Sequence, residues 1–405
     1  MHMASETPTT HLPTYDADAA PAVPRAGLGK PTADERMRGW GSLAASFALA
    51  WIVTQQLLPL AGTAWFLAVW FLFSLLIGGV VAGMRGGWPD VADTIARRTI
   101  QWAFALVLGA LVSTVIFVFL RGWRPLTHSN FWFDDMDGVG PKDLLLNGGV
   151  KHAVIGSLIQ LGIGLAITLP LGIGTAVFMN EVGGRFATVV RTVVEAMTAL
   201  PSIVAGLFVY AVVILTLGYP RSGLAAGLAI AVMMLPIIAR ASDVVLRVVP
   251  GNLREASLAL GASRWKTVWH VVLPTARPGL ATAVILGVAR GVGETSPVLL
   301  TSAAAPTTEV DPGSVMNSLP LYIFTLVRSG EPIAIQRAFG AAAVLLILVL
   351  ALFVVARLVA RPRSNRVRRR PVRAFLRLVR NLLTLNRATM TVGRADLPES
   401  NRVTR

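Results

Sequence analysis

Long apolar runs dominate the chain after Trp40, each broken by a short polar or basic stretch. A helix that crosses a bilayer needs about 20 mainly apolar residues. Eight stretches meet that length: 43–61, 64–84, 102–120, 152–178, 194–217, 223–245, 279–301 and 338–360. The first two read as a tight hairpin joined around Gly62 and Thr63. Residues 1–40 hold no apolar run and are rich in Thr, Pro and Ala. They read as a disordered cytoplasmic tail, not a secretory leader, because no short apolar core with a cleavage site follows. Several runs carry Gly and Pro, as in "LPLGIGTAVF" (169–178), "LPSIVAGL" (200–207) and "MLPII" (234–238). Membrane helices tolerate these where neighbours satisfy the freed backbone, and small residues let helices approach closely. The pattern predicts an all-α integral membrane protein, a compact bundle of kinked helices.

Composition agrees and removes alternatives. The chain is 54% hydrophobic and only 14% charged, against about 25% charged in a soluble domain. It has no cysteine, so disulfides and thiolate metal sites are excluded. The net charge of +16 would fit a nucleic-acid binder, but its distribution does not. Basic residues gather in the N-terminal tail (Arg25, Lys30, Arg36, Arg38), in 85–101 (Arg85, Arg97, Arg98), in 246–278 (Arg247, Arg254, Arg264, Lys266, Arg277) and after Arg357. With eight spans these four segments share one side, which places both termini in the cytoplasm. The 121–151 loop, with Asp134, Asp135, Asp137 and Asp143, falls outside. The basic excess is then topology, and nucleic acid is not a partner. In the tail 361–405, "PVRAFLRLVRNLLTL" (371–385) sets Val372, Phe375, Leu376, Val379 and Leu383 on one helical face and Arg373, Arg377 and Arg380 on another. That suits an anionic lipid surface; a solvated basic tail reads equally well.

Between the sixth and seventh runs lies "REASLALGASRWKTVWHVVLPTARPG" (254–279). A helix starts after Pro250 and Gly251, Gly261 breaks it, and a second amphipathic stretch from Trp265 to Val272 ends at Leu273-Pro274. A helix–Gly–helix knob on the membrane face is a docking element, and its glycine permits the sharp turn. The segment resembles the coupling loop of ABC importer permeases, Glu-Ala-Ala, three residues, Gly, nine residues, Ile-x-Leu-Pro. Glu255, Ala256, Gly261, Leu273 and Pro274 match in register, with Ser257 in place of Ala and Val271 in place of Ile. The resemblance implies a coupling loop, 252–274, that inserts into a cytoplasmic ATPase subunit. "GASRWKT" (261–267) is not a phosphate-binding loop: it lacks the second Gly before the Lys and follows no strand. With no such loop elsewhere, any ATPase is a separate polypeptide.

Two charged pairs sit inside apolar runs. Arg290 lies near the middle of the seventh run, where a charge costs about 3 kcal/mol on insertion scales, and Glu294 follows at i,i+4 on the same face. Arg240 and Asp243 are three apart near the cytoplasmic end of the sixth run, where an arginine also serves as a snorkelling anchor. Two guanidiniums suit a tetrahedral oxyanion. At neutral pH phosphate keeps a proton that Asp or Glu can accept, whereas sulfate offers none and a carboxylate would repel it. Glu294 either contacts the substrate or only holds Arg290.

"RGVGETSP" resembles the Gly-Glu-Thr-Ala-Pro signature of phosphate importer permeases of the PstA type, and "GTAVFMNE" (174–181) and "MTALPSIVAGLF" (197–208) are similar to that family too. Asp243 stands where Glu is usual and Ser296 where Ala is usual. The resemblance covers about residues 100–360. It implies a six-span type I ABC importer permease core, 102–360, preceded by an extra transmembrane hairpin and linker, 41–101. It implies that Arg240, Asp243, Arg290 and Glu294 serve translocation. The implied partners are a homologous second permease, two cytoplasmic ATPase subunits, an extracytoplasmic phosphate-binding protein and membrane lipid. The chain would bind no cofactor, with ATP and Mg held by the ATPase, and would reside in a bacterial plasma membrane. A related importer of sulfate or molybdate, a membrane sensor or scaffold, and a passive anion channel are the competing readings.

Overall fold

The structure, a computed structural model, describes residues 33–58 and 62–360, and every regular element among them is helical. Residues 1–32 of the predicted disordered tail 1–40 and the amphipathic stretch 371–385 lie outside the described residues, whereas 33–40 are not disordered but form the first turns of a helix that continues into the apolar run. The chain divides into two compact units, Met1–Val115 and Ile116–Arg405.

In the first unit, α1 (Ala33–Ile52) ends in a π turn, Val53–Leu57, and α2 (Thr63–Gly86) returns against it. The hairpin is sewn by aromatic edges: Phe47 meets Phe66 and Trp70 at centroid distances of 5.3 and 5.1 Å. The Trp70 indole also donates to the Ser46 hydroxyl. The segment 85–101 is not the short loop its basic residues predicted. It forms the start of α3 (Trp88–Thr127), 40 residues long, about 60 Å at the α-helical rise. Arg98 is correspondingly buried, donating to the Ser74 carbonyl and the Ser42 hydroxyl. Its charge is absorbed by neutral oxygens, and Gly78 leaves it room.

The second unit contains the rest of α3, the short α4 (Ser129–Phe133), α5 (Lys151–Val177), α6 (Gly184–Thr198), α7 (Ser202–Val209) and α8 (Gly223–Arg247). It continues with α9 (Gly251–Ala259), α10 (Arg264–Thr267), α11 (Leu273–Val292), α12 (Ser296–Thr301), α13 (Leu319–Arg328) and α14 (Pro332–Ala360). At its centre α8 packs between α5 and α11. Small residues set that spacing: Gly164 and Gly172 face Ile230 and Ile238 on one side, and Gly287 and Gly291 face Ile238 and Met234 on the other. Association within lipid relies on such close approach, because lipid tails are as apolar as leucine. Leu161, Ile230, Met234, Ile238, Val292 and Val298 fill the seam.

At one end, the 134–150 and 303–318 segments close over the helices. Tyr322 donates to the Gly149 carbonyl, and the fully buried Arg337 donates to the carbonyls of Asp143, Leu144 and Asn147. Asp135 accepts from the Thr308 N–H and hydroxyl. Burial alone would raise the Asp135 pKa, but hydrogen bonds from the Asp137 N–H and from Thr308 hold it below the usual carboxylate range.

Six helices among the described residues are long and apolar enough to span a membrane, and a bent pair makes a seventh. Two spans differ from the sequence reading. The run 194–217 is not one straight helix: α6 and α7 meet at 105°, because Pro201 has no N–H to continue the helix. The run 279–301 begins earlier, at Arg264, and stops at Val292. The predicted end at Leu273-Pro274 is passed, since a π turn, Val268–Val272, precedes Pro274 and the proline takes the first turn of α11. The predicted first span corresponds to α1, whose opening turns carry Asp34, Glu35, Arg36 and Arg38; it is not among the six.

Gly156 is a test of the close packing, since a Cβ there would collide with the Asn317 carbonyl. Gly156→Ala is expected to destabilise the protein by about 1–3 kcal/mol, read as a lower melting temperature in detergent. Gly162→Ala, whose Cβ would meet nothing, is expected to leave it unchanged.

Candidate functional site

Two helix interruptions meet in the second unit. The first is the bend at 199–201 between α6 and α7. The second is 293–295, between the end of α11 and the start of α12, where Pro297 again opens the new helix. Gly206 of α7 packs so closely on Pro297 that a Cβ would come within 2.7 Å of the proline Cα. The Ser202 side chain lies beside the Glu294 carboxyl at this junction.

Arg290 and Glu294 form the ion pair their spacing predicts, Nε to Oε1 at 2.8 Å. Their exposures differ sharply: Glu294 is 6% exposed and Arg290 51%. The carboxylate is thus set into the junction while the guanidinium opens outward. Its remaining donors make no other bond among the described residues. A half-open guanidinium with a buried carboxylate beside it can take a protonated oxyanion, the cation meeting the charge and the acid accepting the proton.

The second predicted pair is not formed. Arg240 is exposed and makes no ion pair among the described residues. Asp243 is buried and bound by other groups. Arg247 reaches its Oδ2 at 2.6 Å, and Arg191 on α6 reaches both oxygens at 3.3 Å. Asn180 donates to Oδ1 at 2.7 Å. The i,i+4 order acid-then-arginine, Asp243 to Arg247, is the favoured arrangement on a helix, and it outcompetes Arg240 at i−3. Both carboxylate oxygens are engaged, so Asp243 acts as a structural hub and not as an open ligand.

Sequence reasoning missed Arg191, Arg247, Asn180 and a further pair, Arg254 with Glu181 at 3.1 Å. The Asp243–Arg247 spacing was a usable signal. Asn180 and Glu181 lie on a π turn, Phe178–Val182, that extends α5, and no apolar periodicity announces such a turn. Gly183 and Gly184 follow with φ of 67° and 79°, a conformation side chains resist. They turn the chain so that α6 can bring Arg191 back to Asp243.

The predicted loop 252–274 forms two helices around Gly261, whose φ of +82° requires glycine. Ser257 and Thr267 bond across them at 2.9 Å. Glu255 and Ala256 are exposed, as are Gly261 and Pro274, while Leu273 is partly buried. Leu260, Trp265 and Trp269 project outward, the two tryptophans edge to face. This is an apolar knob with an acidic flank, fitted to enter another protein's groove.

Residues 168–369 match the family described as binding-protein-dependent transport system inner membrane component. The chain is 40% identical over 261 residues to the phosphate transport system permease protein PstA 1 of Mycobacterium tuberculosis, covering 64% of this chain and 85% of that protein. It is 38% identical over 262 residues to PstA of Mycobacterium leprae, covering 64% and 85%. It is 30% identical over 246 residues to PstA of Pasteurella multocida, covering 60% and 86%. The chain therefore belongs to the family of inner-membrane permease components of binding-protein-dependent ABC importers, transport subunits without a catalytic centre of their own.

The hub makes a clear prediction. Asp243→Asn leaves Arg191 and Arg247 without their anion, and a drop of about 1–3 kcal/mol is expected for a lost charge-assisted network. Arg240→Gln is expected to leave the melting temperature unchanged, whereas substitution of Arg191 should lower it as Asp243→Asn does.

Proposed function

We infer that this chain is the membrane permease subunit of an ATP-driven importer of inorganic phosphate. The observation that carries the reading is the Arg290–Glu294 pair at the junction of two broken helices, in a chain whose relatives are phosphate transport permeases. Breaks of this kind occur in transporters where a substrate is held near the middle of the bilayer. Arg290 takes phosphate charge through its forked donors, Glu294 accepts the P–OH proton, and the exposed Arg240 adds a second cation along the route. Asp243 supports this route by fixing α6 to α8.

The chain forms half of the pathway, and a second, homologous permease supplies the facing half. An external phosphate-binding protein delivers the substrate. Two ATPase subunits hold ATP and Mg and engage Glu255, Ala256 and the Gly261 knob, one on each permease. Access alternates as the two permeases rock around the anion. The chain itself holds no cofactor and makes or breaks no bond. In this reading α1, the bent pair and the six long helices give eight crossings of a bacterial plasma membrane. Both termini and the 252–274 loop then lie in the cytoplasm, as the distribution of basic residues requires.

Reconstituted with its partner subunits, the complex is expected to import phosphate in an ATP-dependent way and to leave sulfate outside. Arg290→Gln should lower uptake about 10- to 100-fold, the equivalent of one lost charge-assisted bond. Glu294→Gln should reduce phosphate uptake as well; intact transport in that variant would remove the carboxylate from recognition. Sulfate or molybdate uptake in place of phosphate would overturn the substrate.

A further inference from the structure

Three separated parts of the second unit converge on one polar cluster. The π turn after α5 brings Asn180 and Glu181, α6 brings Arg191, and the end of α8 brings Asp243 and Arg247. The docking loop brings Arg254, which touches two of these parts at once. Its Nη2 donates to the Leu246 carbonyl at the end of α8 at 3.0 Å and lies 3.1 Å from Glu181 Oε1. Arg254 is thus the docking-loop residue whose side chain grips the bundle by charge.

The two halves of the cluster differ in kind. The Asp243 half is saturated: both oxygens carry donors, and Asn180, Arg191 and Arg247 surround it. The Arg254 half is not. Glu181 Oε1 and Arg254 Nε are buried and lack an aligned hydrogen bond, so the ion pair holds by charge more than by direction. Such a contact tolerates sliding that a saturated network does not, because Coulomb attraction changes slowly with angle whereas a hydrogen bond weakens steeply when bent. The acidic member sits on a π turn, an element frequent at functional sites. Within the loop, Ser257 and Thr267 lock the two short helices together, so a push on the Gly261 knob reaches Arg254 as the displacement of one body.

We propose that Glu181 and Arg254 are the coupling joint of this permease, positioning residues through which displacement of the docking loop is passed to α5 and, by way of Asn180, to the Asp243 hub and α6. The proposal rests on the permease reading above but concerns the route of force and not the substrate. It separates two functions that one charge cluster would otherwise blur. The Asp243 hub keeps α6 and α8 together in every state, and the Glu181–Arg254 pair transmits movement between loop and bundle.

The test uses the whole reconstituted complex with two readouts. The first is phosphate imported per ATP hydrolysed. In Glu181→Gln and in Arg254→Gln this ratio is expected to fall about tenfold, within the usual range of coupling between sites, while ATP hydrolysis continues. The exchanged pair Glu181→Arg with Arg254→Glu is expected to recover most of it, which a general loss of fold would not do. The second readout needs no substrate. The chain has no cysteine, so spin labels at Leu171→Cys on α5 and Lys266→Cys in the docking loop report one distance. With the native pair, that distance is expected to stay narrow through ATP binding and release. In Glu181→Gln it is expected to broaden. An unchanged ratio and an unchanged narrow distance in Glu181→Gln would overturn the joint. A complex that hydrolyses ATP without carrying phosphate would overturn the substrate reading alone, and the distance measurement would then decide the joint by itself.

Discussion

A helix interrupted within a bilayer frees backbone N–H and C=O groups that lipid cannot satisfy, so every interruption must be covered by protein. Much of the second unit follows from that constraint. The breaks at 199–201 and 293–295 face one another, and Gly206 against Pro297 brings their backbones close enough to shut lipid out. Polar side chains accumulate where the backbone is already polar: Ser202, Glu294 and Arg290 share the junction. The Arg290–Glu294 ion pair thereby stands where the helices had to be covered in any case.

Charge obeys a parallel constraint, since a buried ion without partners is expensive. The described residues show three answers to it. Arg98 and Arg337 are buried among neutral oxygens, three backbone carbonyls in the second case. Asp243 is neutralised by Arg191 and Arg247 and completed by Asn180. Glu294 is met by one half-exposed arginine, Arg290, whereas Asp243, whose Arg247 is equally exposed, has a second arginine and an amide as well. The number of donors on the carboxylate, and not the exposure of its arginine, is what distinguishes the two acids.

The sequence made part of this legible. Arg290 and Glu294 pair as their i,i+4 spacing requires, and Gly261 turns the docking loop as its position in the motif requires. The Arg240–Asp243 reading failed because two competing arginines were available. One lay at the better i,i+4 position, and the other came from a helix 52 residues away that only the fold brings near. The straight span at 194–217 failed for a related reason. An apolar run records what lipid or core will accept, but Pro201 decides whether the run is one helix or two. The loop at 85–101 failed in the opposite sense: basic residues bear on the side of a membrane and do not mark the end of a helix. The π turns left no trace that a hydrophobic period could reveal, and two of them flank the docking loop and the hub.

These features form one mechanical line. Arg191 ties α6 to the Asp243 hub, and ten residues further on the same segment reaches Pro201 and the junction that holds Glu294. The helical part of that stretch, from Arg191 to the end of α6 at Thr198, covers about 10 Å, so α6 is a short link between the hub and the junction. Its near end starts at Gly183 and Gly184, which both adopt positive φ and have open space where side chains would stand. Its far end meets the 105° bend, with Ser202 beside Glu294. α6 thus joins the Asp243 network near one end to the bend beside Glu294 at the other. Between the 252–274 loop and Glu294 the connection therefore runs through one short helix and two charged contacts, Arg254 with Glu181 and Arg191 with Asp243.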